Sequence, residues 1–390
     1  MIRQNFNADW TVEKGDGNSR MNSFLGNTQT KTVHLPYDAM IHEARTPDTK
    51  NGAQTGFYPG GEYIFQKHFT APQAWQGKPV SLVFEGVYQT ALVYLNGWLL
   101  TRNVNGYAEF TVEAGPYLKY GADNLLKVIA DNSLEPNSRW YTGSGVYRPV
   151  RLLVGNKVYL PQDTVRITTR EADEGFALLD VTAQVQSAST VTERVTLQQT
   201  ICREGTAVLT DRQNLLLQPG ESRTVSFRYC VDSPALWSPE NPNLYTSTMQ
   251  VLEGEEELDR EETSFGIRTL SIDAAHGVRI NGQTVKLRGA CIHHDNGILG
   301  AATLPDAEER RIRQLKEAGF NAIRSSHHPA GRALLDACDR YGVLVMDELS
   351  DVWNVRKNPY DYALYFEQDW KPTIQKMVAK DYNHPSVILY

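Results

Sequence analysis

The side chains best suited to catalysis lie in the last third of the 390-residue chain. Arg324 and His327 are close neighbours, and the acidic pair Asp347-Glu348 follows them. Imidazole and carboxyl groups transfer protons, and a guanidinium group binds carboxylates and hydroxyl oxygens through several N–H donors. We therefore expect these side chains to lie at an active site.

Asp347 and Glu348 end a predicted strand, where successive side chains point to opposite faces. At most one of them can face a central site, so we do not expect the two to act as a catalytic carboxylate pair. The favoured role is a site-lining carboxylate that orders its neighbours through hydrogen bonds. Helix capping or loop anchoring is the alternative.

The run His293-His294-Asp295 raises the alternative of a metal-dependent hydrolase. A zinc site at the end of a strand favours the spacing His-x-His, which points both rings to one face, whereas adjacent imidazoles diverge. The spacing therefore argues against zinc. We expect His294 to line a substrate pocket and His293 to pack or cap.

The elements that position these residues follow two long β-rich segments. Residues 1–155 carry short alternating runs and an Asn96-Gly97 turn, which predicts a jelly-roll sandwich. Residues 156–267 alternate over longer strands, with a turn at 218–220, and predict an immunoglobulin-like β-sandwich.

Residues 268–390 alternate short apolar strands with helical stretches, the pattern of βα units and a parallel sheet. Asp306 and Glu309 resemble a capping box for the first helix, and Pro372 is expected in the first turn of the third. The predicted strands are 285–292, 321–325, 343–348 and 386–390. Since a TIM (β/α)8 barrel needs twice as many, the sequence predicts its first half.

Composition limits the classes of partner. The hydrophobic content is 41%, and the formal net charge is -7 with acidic and basic residues interspersed. This charge pattern indicates a protein that binds neither nucleic acid nor membranes. Because no apolar run has the length of a membrane span and residues 1–6 are not followed by an apolar signal core, we expect a cytoplasmic protein. The four cysteines form no CxxC pair and are expected to be small core residues.

Two further stretches resemble the signatures of glycoside hydrolase family 2, which contains β-galactosidases, β-glucuronidases and β-mannosidases. Residues 321–348 resemble the first signature, with His328 where tyrosine is usual, and residues 381–390 begin the second. Upstream, the segments 56–61, 84–88, 94–97 and 139–148 are similar to the family's sugar-binding jelly roll, and 237–245 and 265–268 to its immunoglobulin-like domain.

The resemblance implies a retaining glycoside hydrolase, with β-galactosidase as the first choice because residues 292–300 and 381–390 look most like bacterial β-galactosidases. In the family, the acid/base and nucleophilic glutamates follow strands four and seven of the barrel, which places both beyond Tyr390. We therefore expect the 390 residues alone to be inactive. The alternatives are β-glucuronidase, β-mannosidase and a carbohydrate-binding protein without catalysis.

The resemblance also implies roles for single residues. Arg324 would hold the ionised nucleophile, and His327 would bind a hydroxyl of the sugar in the first subsite. Trp353, on the loop after strand three, would present its ring to a sugar face or anchor that loop. Arg139 lies on a jelly-roll loop that reaches the barrel mouth; several relatives carry an acidic residue there. It would suit an acidic sugar or form a salt bridge between domains.

The expected partner is a β-galactoside oligosaccharide. No cofactor is required, and the magnesium or sodium sites of the family cannot be assigned to residues here. The edges of a half barrel would leave strands unpaired, which allows self-association into a homo-oligomer.

Overall fold

The computed structural model describes residues 1–15 and 30–390, which form two β-sandwiches followed by a parallel βα unit. This order confirms the predicted fold class of jelly roll, immunoglobulin-like sandwich and first half of a barrel. Among the described helices, none combines the length and apolar character that a membrane crossing requires.

The jelly roll consists of two facing antiparallel sheets with strand orders β1-β10-β5-β8 and β3-β2-β4-β9-β6-β7. Its strands are β1 (Ile2–Asn5), β2 (Trp10–Lys14), β3 (Lys31–Val33), β4 (Gly61–Thr70), β5 (Val80–Phe84), β6 (Thr90–Leu95), β7 (Trp98–Asn103), β8 (Phe110–Glu113), β9 (Asp123–Asn132) and β10 (Val150–Val154). Alternate side chains of β6, those of Ala91, Val93 and Leu95, are buried, as expected for a strand with one face toward the core.

The predicted hairpin turn between β6 and β7 is confirmed. Asn96 and Gly97 both have positive φ angles, 53° and 89°, as a two-residue type I′ turn requires. Asn96 also fixes the turn through its side chain, because its Oδ1 accepts a hydrogen bond from the Leu125 N–H at 3.1 Å.

The immunoglobulin-like sandwich pairs β13 with β11, β12 and β16 in one sheet and orders the other as β15-β14-β17-β18. Its strands are β11 (Val158–Tyr159), β12 (Arg166–Ala172), β13 (Phe176–Ser187), β14 (Glu193–Arg203), β15 (Thr206–Leu217), β16 (Ser222–Asp232), β17 (Tyr245–Glu253) and β18 (Glu256–Phe265). The turn at 218–220 leads from one sheet to the other, and Gly220 takes a φ of 70° there.

A small antiparallel sheet joins the sandwich to the barrel. It comprises β19 (Leu270–Asp273), β20 (Gly277–Ile280) and β21 (Gln283–Thr284). Trp237 of the immunoglobulin-like domain is fully buried beside it and donates a hydrogen bond from Nε1 to the Asp339 carbonyl at 3.0 Å. The two domains therefore share an apolar contact that also contains Ile280 and Leu344.

The last domain is a four-stranded parallel sheet in the order β22-β23-β24-β25 with helices between its strands. Its elements are β22 (Gly289–Ile292), α1 (Pro305–Glu317), β23 (Ala322–Ser325), α2 (Arg332–Tyr341), β24 (Leu344–Met346), α3 (Phe366–Asp381) and β25 (Val387–Leu389). The open inner face of the sheet forms a largely apolar groove of about 230 Å³. All four predicted strands are present, each shorter than its apolar run.

Two predictions about helix ends are wrong. The N-cap of α1 is Leu304 and no side chain caps it; Glu309 instead accepts hydrogen bonds from Arg340 and Tyr341 of α2. Helix α3 begins at Phe366, so Pro372 lies inside the helix and not in its first turn. The short turn Tyr362–Leu364 leads into the helix through Tyr365, so the helix starts well before Pro372.

The cysteine prediction is also wrong for most of the residues. Only Cys338 is buried, whereas Cys202 is half-buried and Cys230 and Cys291 are exposed. Cys230 points outward from β16, and Cys291 lies on the open groove of the parallel sheet. Strand alternation decides this, since neighbouring positions on one strand face opposite sides.

Candidate active site

Three side chains form one hydrogen-bonded group at the carboxyl ends of β23 and β24. The Glu348 Oε1 accepts a hydrogen bond from Arg324 Nε, and its Oε2 lies 2.8 Å from His327 Nδ1. The bond to Glu348 raises the pKa of Arg324. An ionised carboxylate only accepts, so His327 carries its proton on Nδ1. Arg324 remains 44% exposed and presents its guanidinium group to the open side of the sheet.

Asp347 points away from this group. It is fully buried, and its Oδ1 accepts hydrogen bonds from the backbone N–H groups of Ala330 at 2.9 Å and Glu348 at 3.0 Å. Burial and the nearby carboxyl group of Asp381 raise the pKa of Asp347 well above its usual value. The two acidic neighbours therefore face opposite sides, and Asp347 anchors the backbone behind Glu348.

A jelly-roll loop brings Trp140 onto this group. Its ring stacks on His293, with centroids 5.0 Å apart and planes at 19°, and meets His327 edge-on at 5.7 Å. The Trp140 Nε1 donates a hydrogen bond to the Tyr107 hydroxyl at 3.0 Å. An apolar ring beside imidazole N–H groups suits a ligand with both C–H faces and hydroxyl groups.

The two adjacent histidines occupy different surroundings from those expected. His294 is buried, and its Nε2 lies 2.9 Å from the Thr142 carbonyl. Burial lowers the pKa of His294 to about 3, so the ring is neutral and donates this bond. His293 is the half-buried one that joins the Trp140 surface, and burial lowers its pKa to a smaller extent. The rings diverge, as the spacing predicts, but His293 faces the site.

Arg139 lies at the domain boundary and is engaged by the barrel domain. Its Nε and Nη2 donate to the two carboxylate oxygens of Asp351 at 3.1 and 2.6 Å. Lys357 Nζ lies 2.8 Å from the same carboxylate. Trp353, two residues after Asp351, is 71% exposed and so does not anchor its loop in a core.

The candidate metal ligands do not fit a catalytic ion. In the described parts of the chain, the histidine and carboxylate atoms close enough to share one are those of Asp336, Asp339 and His384, which lie before β25 at the opposite end of the sheet from Glu348. His384 Nδ1 already lies 2.6 Å from Asp339 Oδ2. Burial opposes protonation of His384, but Asp339 raises its pKa above the usual value. Asp339 and His384 are thus engaged with each other, at the end of the sheet away from Glu348.

Three family models together cover nearly all of the chain. The galactose-binding domain-like model of glycosyl hydrolase family 2 matches residues 10–176, the family 2 model matches 158–268, and its TIM barrel model matches 274–390. The chain belongs to glycoside hydrolase family 2. The Arg324, His327 and Glu348 group thus lies in the part that matches the family 2 barrel model.

Two relatives illustrate the similarity. The β-galactosidase BoGH2A of Bacteroides ovatus is 37% identical over 389 residues, which are 100% of this chain and 46% of that protein. A putative β-glucuronidase of Formosa agariphila is 32% identical over 100% of this chain and 37% of its own length. The chain therefore spans less than half the length of either of these curated relatives.

A solved structure of a family 2 member from Bacteroides cellulosilyticus matches the whole chain with a TM-score of 0.95 and 37% identity, and the match covers 51% of that protein. A β-glycosidase from Bacteroides vulgatus matches with a TM-score of 0.91 and 31% identity over 50% of its length. The relative placement of the three family 2 domains is thus shared with experimental structures.

The sequence did not indicate Trp140, His293 or Asp351 as site residues. For Trp140 a signal exists, because it follows Arg139 on a loop that the family resemblance places at the barrel mouth. Asp351 has no local signal, since its partner Arg139 is 212 positions away.

Proposed function

We propose that this chain is part of a retaining β-glycosidase that removes terminal sugars from β-glycosides, with β-galactosides as the preferred substrates. One observation carries the proposal: Arg324, His327 and Glu348 form a hydrogen-bonded group at the carboxyl ends of parallel strands. In barrels of this kind, catalytic sites are built at that edge.

Retaining hydrolysis requires a nucleophilic carboxylate and an acid/base carboxyl group roughly 5–5.5 Å apart. Glu348 and Asp347 cannot supply this pair, because Asp347 is buried and bonded to the backbone on the other side of the strand, whereas Glu348 pairs with Arg324 and His327. We therefore assign the two reacting groups to other residues of the complete protein. In this assignment Glu348 holds Arg324 and His327, which donate N–H groups to an ionised nucleophile and to a sugar hydroxyl.

The choice of sugar rests on the similarity to the Bacteroides ovatus β-galactosidase and on the state of Arg139. The ion pair with Asp351 engages the basic group that could have bound an acidic sugar. β-Glucuronides are the second candidate because of the similarity to the Formosa agariphila protein.

Nitrophenyl β-galactoside, β-glucuronide and β-mannoside assays on the complete gene product test the proposal. We expect the highest kcat/KM for the galactoside. Replacing Trp140 by alanine should lower it about tenfold through loss of the aromatic surface, whereas Trp98→Ala, at a 66% exposed position, should not. Absence of turnover with all three would contradict a glycosidase, and a preference for the glucuronide would replace the galactoside.

A further inference from the structure

A polar cleft of about 350 Å³ lies between the immunoglobulin-like domain and the loop that leads into β25. One wall is β12, and the other is formed by residues 382–385. Asn383 bridges the walls, since its side chain bonds the Ile167 N–H at 2.9 Å and the Val165 carbonyl at 2.7 Å. The cleft is at the amino end of β25, whereas the candidate active site is at the carboxyl ends of the strands.

Among the described residues that line the cleft, those that can carry a charge are basic. It contains two arginines, a histidine, an asparagine, a tyrosine and three threonines, and none of the described residues that line it is acidic. Donors come from both domains, as the hydrogen bond of 2.7 Å between the Thr168 and Tyr382 hydroxyls illustrates. Such a set of cations and hydroxyl groups is complementary to an anion.

Arg268 supplies a half-buried positive charge to this cleft. Its Nε and Nη2 donate hydrogen bonds to the carbonyls of Pro385 at 2.6 Å and Val387 at 2.8 Å. Both acceptors are neutral, and no carboxylate of the described residues forms an ion pair with it. Burial lowers the pKa of Arg268 to about 10, as expected for a charge that lacks a full counterion.

Two further arginines, Arg166 and Arg228, lie beside residues that line the cleft. Arg170 and Arg228 share the single carboxylate of Asp180, with distances of 2.6 and 2.7 Å. The Arg166 guanidinium lies over the ring of Tyr382, 5.2 Å from its centroid. These positive groups stand together in a chain whose formal net charge is -7.

The acidic group nearest to Arg268 inside the fold is already engaged. Asp339 lies behind His384 and accepts hydrogen bonds from that ring at 2.6 Å and from the N–H and hydroxyl groups of Ser386 at 3.0 and 2.5 Å. Burial lowers the pKa of Arg268 and Asp339 partly offsets this through space, but no hydrogen bond joins Asp339 to Arg268 inside the cleft.

We propose that this cleft binds a tetrahedral oxyanion, a sulfate or phosphate group, either as the free ion or as an ester on a sugar. The donors approach from two domains, which suits an ion whose oxygens diverge better than a planar carboxylate. Arg268 and Arg170 provide the charge, and the threonine and tyrosine hydroxyls complete the hydrogen bonds. Binding here is independent of the proposed glycosidase function and is measured without turnover.

Calorimetric titration of the complete gene product with sodium sulfate and sodium phosphate, against chloride and acetate at equal ionic strength, tests the proposal. We expect saturable binding of one sulfate or phosphate per chain and none for acetate. The variant Arg170→Gln, at a 59% exposed position, should weaken binding about tenfold. Arg194→Gln, an exposed position on β14 in the opposite sheet, is the control with the same loss of charge.

Sulfate binding no tighter than chloride, or an equal loss in Arg170→Gln and Arg194→Gln, would overturn the proposal. A further titration with a sugar sulfate distinguishes the free ion from an ester on a sugar. Galactose sulfate that binds more tightly than inorganic sulfate indicates an ester ligand, and galactose alone should not bind. Equal or weaker binding of the sugar sulfate indicates the free ion.

Discussion

The Arg139 guanidinium and the Asp351 carboxylate form a bidentate ion pair across the boundary between the jelly roll and the barrel domain. Burial opposes the ionisation of Asp351, but hydrogen bonds from Arg139 and Lys357 lower its pKa below the usual value. This pair ties the loop after β24 to the loop that carries Trp140. It therefore joins the two sides of the candidate site.

Replacing Arg139 by alanine should raise KM and change the free energy of unfolding by less than about 1 kcal/mol. The reason is that the Arg139 side chain is 42% exposed, so solvent screens the ion pair, while the loop position depends on it. Nitrophenyl galactoside kinetics and urea denaturation measure the two effects. Arg260→Ala, at a 46% exposed arginine paired with Glu257, should leave KM unchanged. An unchanged KM in Arg139→Ala would refute the positioning role.

Replacing Glu348 by glutamine should lower kcat/KM about 100-fold, the cost of a misplaced catalytic constellation. The neutral amide no longer holds Arg324 and His327 by charge. Steady-state kinetics of the complete protein, with melting temperature as a check on folding, measure this. Glu309→Gln is the matched variant, because it removes the same charge from an exposed ion pair with Arg340. Its kcat/KM should remain that of the parent protein. Similar rates for the two variants would count against the proposed site.

Replacing Arg332 by leucine should cost about 3–5 kcal/mol of unfolding free energy. Arg332 links the barrel to the sandwiches, with Nε 2.8 Å from Glu109 and Nη2 2.6 Å from Asp163. Leucine leaves Asp163 without this largely buried partner and leaves Glu109 with Arg151 as its remaining ion-pair partner. Urea denaturation of the chain gives the value.

The matched variant for this test is Arg340→Leu, whose ion pair with Glu309 has side chains 46% and 43% exposed. Its loss should stay below about 1 kcal/mol. If both arginine variants lose the same free energy, the domain junction does not depend on Arg332.

Because Glu109 lies at the same junction, we expect the unfolding free energy to fall in strong acid. Burial disfavours the charge of Glu109, but Arg332 and Arg151 outweigh it and lower the pKa to about 2. Since the unfolded value is about 4.3, this contribution is complete above that pH and is lost as the pH falls toward 2. Acid titration followed by tryptophan fluorescence measures it, and an Arg332→Leu chain should show a weaker dependence in that window.

We expect His294 to cause a second loss of unfolding free energy, in mild acid. Its folded pKa is about 3, whereas an unfolded histidine has about 6.5, so the unfolded chain takes up the proton first. Unfolding free energy should therefore fall by about 2 kcal/mol between pH 6.5 and 5 for this residue. His328, which burial affects in the same way, adds to the slope.

The variant His294→Gln keeps an N–H donor for the Thr142 carbonyl and removes the titrating group. Its unfolding free energy, measured in urea from pH 7 to 5, should depend less on pH than that of the parent chain. Identical slopes for the His294→Gln chain and the parent chain would rule out His294 as the source.

Much of the fold was predictable because its signals are local. Alternation in β6 and the Asn96-Gly97 turn mark a hairpin by themselves, and Gly342 ends α2 in the left-handed region with a φ of 65°. Capping was less predictable: Glu309 has the spacing of a capping box, yet Arg340 and Tyr341 of the next helix attract it. A local signal fails where a tertiary partner competes for the same side chain.

The sequence by itself determined the order of domains, the parallel βα unit and the opposite directions of Asp347 and Glu348, since periodicity and turn chemistry act over a few residues. Only the tertiary structure decided that His293 rather than His294 meets Trp140 and that Asp351 binds Arg139. It also decided that no acidic side chain of the described residues lines the cleft around Arg268. The physical reason is that each of these depends on how separate domains pack, and packing joins residues that no local pattern relates.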